Sequence, residues 1–107
     1  MDATILVADD DEGLCGLLTA VLKTAGYKTL IADDGSAALE LTRQHVPDIA
    51  LLDVSMPGID GFDTCRAIKS DARTAHIPVL LLTAYADSGL KVKGLDAGAT
   101  DYINLWC

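Results

Sequence analysis

Acidic side chains stand at the ends of apolar stretches in this chain, and that placement points to chemistry with a hard cation. Asp9, Asp10 and Asp11 follow Ile5–Ala8 without a break. Asp53 ends the apolar run Ile49–Leu52, a setting in which a lone carboxylate is costly to desolvate unless something compensates it. Thr83 closes Val79–Leu82, and Asn104 and Leu105 close a last short stretch. In open parallel sheets, ligands sit beyond the carboxyl ends of the strands, which makes these positions the ones to weigh. Carboxylates gathered at one such edge repel each other, and a divalent cation that prefers oxygen ligands relieves the repulsion. Mg²⁺ is the natural candidate. Two of these residues also have plainer explanations: Asp11 stands where a helix N-cap would stand, and Thr83 taken alone is an ordinary β-branched strand residue.

The elements that must hold these side chains follow from the hydrophobic spacing. Short apolar runs bounded by turn residues alternate with segments of helical period, which is the pattern of βαβ units around a buried parallel sheet. Strands are predicted at Thr4–Ala8, Lys28–Ala32, Ile49–Asp53, Val79–Thr83 and Asp101–Asn104. Leu14, Leu17, Leu18, Val21, Leu22 and Ala25 recur at threes and fours and predict a first helix capped by Gly26. Asp34-Gly35-Ser36 reads as a capped turn before a second helix running from Ala37 to about Gln44, and Pro47 ends the connection that follows. Phe62, Cys65 and Ile68 predict a third helix, while Leu90, Val92, Leu95 and Ala97 predict a shorter fourth one stopped by Gly98. The expected architecture is α/β: a flavodoxin-like, doubly wound parallel sheet of five strands in the order 2-1-3-4-5. That order puts Asp53 beside Asp9 and Asp10.

Composition narrows the function classes. The chain has 107 residues, of which 50% are hydrophobic and 22% charged, so it is expected to be one domain, residues 1–107, with a real core. Eight Lys plus Arg against 16 Asp plus Glu leave a net charge of −8, which repels phosphate backbones and anionic lipid. Direct nucleic-acid or membrane binding is therefore not expected. The apolar runs are far too short to span a bilayer and the first residues carry no signal pattern, so a cytoplasmic setting is expected. Cys15, Cys65 and Cys107 are odd in number and widely spaced, and they read as reduced thiols.

Four stretches together resemble the receiver domain of two-component response regulators: residues 5–12 (Ile-Leu-Val-Ala-Asp-Asp-Asp-Glu), 51–61 (Leu-Leu-Asp-Val-Ser-Met-Pro-Gly-Ile-Asp-Gly), 77–84 (Ile-Pro-Val-Leu-Leu-Leu-Thr-Ala) and 97–102 (Ala-Gly-Ala-Thr-Asp-Tyr). The resemblance implies a signalling module, not an enzyme, that accepts a phosphoryl group from a histidine kinase or phosphotransfer protein. It implies Asp53 as the phosphoacceptor, with Mg²⁺ held by Asp9, Asp10, Asp53 and the backbone carbonyl of Ser55. It further implies that Thr83 supplies a hydroxyl that moves to the phosphate and that Tyr102 is the aromatic residue that follows it.

The chain departs from that family after its last strand. Leu105 stands where the family carries a phosphate-binding lysine, and Trp106 where it carries proline. A phosphorylation-impaired pseudo-receiver, acting as a docking or dimerisation module, is the alternative this suggests. The family also continues into a fifth helix. Without it, one sheet face beside the first helix is expected to be bare and to pair with a second copy as a homodimer. A phosphatase of the haloacid dehalogenase class would need an Asp-x-Asp arrangement after its first strand, and here Asp53-Val54-Ser55 follows the third.

Overall fold

The computed structural model describes residues 3–10, 12–54, 56, 58–83 and 98–104. Its elements are β1 (Thr4–Ala8), α1 (Glu12–Thr24), β2 (Lys28–Ala32), α2 (Gly35–His45), β3 (Ile49–Asp53), α3 (Gly61–Ser70), β4 (Val79–Thr83) and β5 (Asp101–Asn104). The strands form one sheet in the order β2-β1-β3-β4-β5, and every pairing is parallel. The predicted fourth helix, Ser55, Asp11 and Leu105 to Cys107 lie outside the described residues.

The short apolar runs become strands because both faces of the sheet are covered. Alternate residues of β1 go to opposite sides. Leu6 and Ala8 join a core with Leu52, Phe62, Ile68 and Leu81, while Ile5 and Val7 join a second core with Leu51 and Leu82. On the second face α1 contributes Leu18 and Leu22. Leu6, Leu52 and Leu81 are each fully buried, which stabilises the fold by roughly 2 kcal/mol per side chain. The face expected to be bare is better covered than the sequence suggests, since Leu51 is 8% and Leu82 1% exposed. Among the described residues the most exposed large apolar side chains are Leu17 and Val21 of α1, at 62% and 58%, followed by Ile31 of β2 at 52%.

Helix ends follow local chemistry. Asp34 is extended, and its Oδ1 accepts from the Ala37 amide at 2.7 Å, so it is the N-cap and α2 opens at Gly35, two residues before the predicted start. Asp60 does the same for α3 through the Asp63 amide. α2 stops at Val46, which adopts φ +44° and donates its amide to the Thr42 carbonyl before Pro47. Three buried threonines satisfy their hydroxyls on nearby carbonyls, Thr42 on Ala38, Thr64 on Asp60 and Thr74 on Ile68, whereas the Thr19 hydroxyl on α1 is buried without a partner among the described residues. The turn from α3 into β4 is tied down by Lys69, whose Nζ donates to the carbonyls of Ala75 and Ile77.

That same turn holds a pH-sensitive contact. The Arg73 guanidinium donates to the Asp71 carboxylate, as does the Arg73 amide, and these bonds hold the carboxyl down at about 2. A carboxyl with a depressed pKa in the folded state adds stability above its unfolded value and loses it as pH falls through the folded one. Asp71→Asn should therefore melt slightly below wild type near neutrality. The gap should close as the pH approaches about 2, and a gap that persists there would show that Asp71 acts through packing instead.

Candidate functional site

The parallel register between β1 and β3 pairs Ala8 with Leu52, so the next residues along, Asp9 and Asp53, leave the sheet side by side. Asp9 is 3% exposed, and its amide donates to the Ala32 carbonyl of the neighbouring strand. Asp53 is half-buried and Asp10 is exposed. One carboxylate oxygen from each of the three lies within 4.8 Å of the others. At that separation two ionised carboxylates near a protein surface repel by about 3 kcal/mol. An all-oxygen donor set of this charge suits a hard divalent cation, and the three residues fit Mg²⁺.

β4 brings a hydroxyl residue to the same edge. Asp53 pairs in register with Leu82, which places Thr83 one step further along, and Thr83 is itself paired with Asn104 of β5. Tyr102 pairs with Leu81. The side chains of Thr83 and Tyr102 lie outside the described residues, as does Ser55. Of the residues singled out from the sequence, the fold thus gathers Asp9, Asp10 and Asp53 into one cluster and puts Thr83 at the strand end beside it.

One contributor was missed. Gly61 reads from the sequence as part of a Pro- and Gly-rich loop, yet it is the first residue of α3 and sits against the backbone of the phosphoacceptor candidate. Its amide donates to the Val54 carbonyl at 3.0 Å, and an added Cβ would overlap the Asp53 carbonyl oxygen and come within 2.9 Å of Val54 Cα. The available signal was the pair Asp60-Gly61, a cap followed by the one residue type able to approach so closely. Met56 is buried beneath the same loop, and Gly58 turns it at φ +75°.

The family model of the response regulator receiver domain matches residues 5–104. The chain belongs to the response regulator receiver domain family. It is 48% identical over 103 residues to the response regulator PleD of Caulobacter vibrioides, covering 96% of this chain and 23% of that protein. The receiver thus spans about a quarter of the length of that curated relative. The structure of a response regulator from Chloroflexus aurantiacus superposes with a TM-score of 0.94 at 37% identity, over 98% of this chain and 86% of that one. The receiver domain of a sensor histidine kinase from Pseudomonas aeruginosa, with a magnesium ion coordinated in its active-site cleft, matches at a TM-score of 0.90 and 28% identity, over 98% and 86% of the two chains. Membership in this family rules against the haloacid dehalogenase reading.

Proposed function

We propose that this receiver accepts a phosphoryl group on Asp53 from a histidine kinase or phosphotransfer protein, with Mg²⁺ held by Asp9, Asp10, Asp53 and the Ser55 carbonyl. The observation that carries the reading is the carboxylate cluster at the carboxyl edge of the sheet, in a chain of this family. The magnesium in the P. aeruginosa receiver supports the choice of ion. When bound, the ion cancels charge between the anionic donor and the acidic cluster. Asp53 supplies the attacking oxygen and is held in place by β3 and by Gly61 behind it. Asp9 and Asp10 raise the local negative charge that makes a cation necessary. Thr83 then offers its hydroxyl to the new phosphoryl oxygens, and Tyr102 follows it, so that a local charge of roughly −1.5 to −2 changes the surface near β5. Partners of this kind, together with Cys65 as a buried thiol outside any disulfide, fit a cytoplasmic setting over a single domain of residues 1–107. Among the described residues no helix is long and apolar enough to cross a membrane.

Leu105 in place of the family lysine supports a second reading, a phosphorylation-impaired pseudo-receiver that docks or dimerises. Intact-mass spectrometry after incubation with Mg²⁺ and acetyl phosphate separates the two. A single phosphoryl adduct that is absent in Asp53→Asn supports phosphotransfer. No adduct even after long incubation favours the pseudo-receiver, and an adduct that survives in Asp53→Asn sinks the assignment of the acceptor.

Mg²⁺ should also raise the melting temperature. A ligand at a hundredfold excess over its dissociation constant adds about 2.7 kcal/mol when it binds only the folded state. Asp10→Asn should abolish most of that gain and, by removing one of three repelling charges, should melt no lower than wild type without the ion. Equal Mg²⁺ responses in the two proteins would remove Asp10 from the metal site.

A further inference from the structure

Most of the described lysines and arginines of this acidic chain are already engaged. Arg43, Arg66 and Arg73 each pair with a carboxylate, and Lys69 donates to the Ala75 and Ile77 carbonyls. Lys23 and Lys28 remain, with no carboxylate at ion-pair distance among the described residues, and both line one open cavity of about 570 Å³ that His45, Tyr27, Thr29 and Leu30 share. No carboxylate among the described residues lines it. The cavity lies at the amino edge of β1 and β2, the end of the sheet away from the carboxylate cluster.

Local chemistry builds this wall of basic residues. α1 ends in a turn where Gly26, at φ +95°, donates its amide to the Lys23 carbonyl and Tyr27 donates to the Leu22 carbonyl. The turn carries Tyr27 and Lys28 back beside Lys23. A lysine in a last helical turn often caps such carbonyls, but here backbone amides do so, and the exposed Lys23 ammonium is left for another partner. From the other side His45, the last residue of α2, brings an imidazole.

We infer that this cavity binds a small phosphate monoester with an aromatic body, of the nucleoside monophosphate class. Lys23 and Lys28 hold the phosphate, with the Thr29 hydroxyl and the His45 imidazole as further hydrogen-bond partners. Tyr27, 41% exposed, and Leu30 offer an aromatic and an aliphatic surface to the base. A bare phosphate would leave most of the space to water, whereas pockets for small organic ligands run to about 300–1,000 Å³. Nucleic acid or an anionic membrane fits less well, because a net charge of −8 repels a polyanion while two neighbouring lysines can still hold one phosphate. The inference does not depend on phosphotransfer, since no lining residue belongs to the carboxylate cluster.

Calorimetric titration with AMP, inorganic phosphate and adenosine tests it, with EDTA present so that no cation can hold a phosphate at the carboxylates. AMP should bind saturably and at least tenfold more tightly than inorganic phosphate or adenosine. Lys23→Gln combined with Lys28→Gln should weaken AMP tenfold or more, and since both lysines are exposed the melting temperature should stay the same. The matching pair Lys23→Arg and Lys28→Arg should keep binding, and Tyr27→Ala should bring AMP down to the affinity of inorganic phosphate. Absence of saturable AMP binding overturns the proposal. AMP and inorganic phosphate bound alike overturn the aromatic body and leave a plain anion site. AMP binding unchanged in the glutamine pair overturns the location, and binding lost equally in the arginine pair overturns the role of charge.

Discussion

Replacing Leu105 by lysine should raise the rate of phosphoryl transfer to Asp53 by a factor on the order of 10²–10³. Asn104 ends β5 in register with Thr83, and Thr83 stands one step beyond the residue paired with Asp53, at the edge that holds the carboxylate cluster; Leu105 is the next residue in the sequence. Phosphoryl transfer to a carboxylate has little covalent chemistry for the protein to assist, and its rate rests on positioning and on charge stabilisation at the equatorial oxygens. The family places a cation there, while this chain offers leucine, which can supply neither charge nor a hydrogen bond. A time course of acetyl phosphate labelling, wild type against Leu105→Lys, measures the difference directly. Equal rates would mean that another cation has taken over the role or that charge at this position does not limit the reaction.

Gly61→Ala should be strongly damaging, since Gly61 has the tightest surroundings of the described glycines. The added methyl would be driven into the Asp53 carbonyl and toward Val54 Cα, and backbone cannot rotate away as a flexible side chain can. Overpacking of this kind typically costs about 1–3 kcal/mol, and the rigid neighbours place this case at the upper end. For a domain of this size the expected fall in melting temperature is on the order of 10–20 °C. Relief of the clash requires β3 or the start of α3 to shift, and either moves Asp53 relative to Asp9 and Asp10. The Mg²⁺ gain in melting temperature should therefore shrink along with the stability. Loss of stability with an undiminished Mg²⁺ response would show that the strain is absorbed in α3 and that Gly61 only supports the fold. Gly35 is a useful comparison, because a Cβ there would crowd Ile59 and Thr64, away from the carboxylates. Gly35→Ala should destabilise while leaving the metal response intact.

The strands and the acidic positions were readable along the chain because both are written in local pattern. Each of the five strands occupies the predicted span, from Thr4–Ala8 through Asp101–Asn104, because a strand buried on both faces must be a short apolar run between turn residues. Asp53 stood out for the related reason that an acid at the end of such a run has to be compensated. The start of α2 was less legible. Ser36 and Asp34 are both competent caps, and the choice of Asp34 rests on its extended backbone and its bond to the Ala37 amide.

Close approaches between distant segments were decided only when the chain folded. Gly61 looks like any loop glycine until α3 is laid against the back of β3, and Lys69 looks like a solvated lysine until the Ala75 and Ile77 carbonyls turn toward it. α1 shows the same limit from the other side. Leu17 and Leu18 contribute equally to the hydrophobic spacing that predicts the helix. Only the docking of the helix on the sheet gave Leu18 to the interior and left Leu17 outside. Periodicity says that a helix has an apolar stripe wider than one neighbour needs. Which edge of that stripe meets the sheet depends on the rotation of the helix about its axis, and that angle is set by packing against residues far away in the sequence.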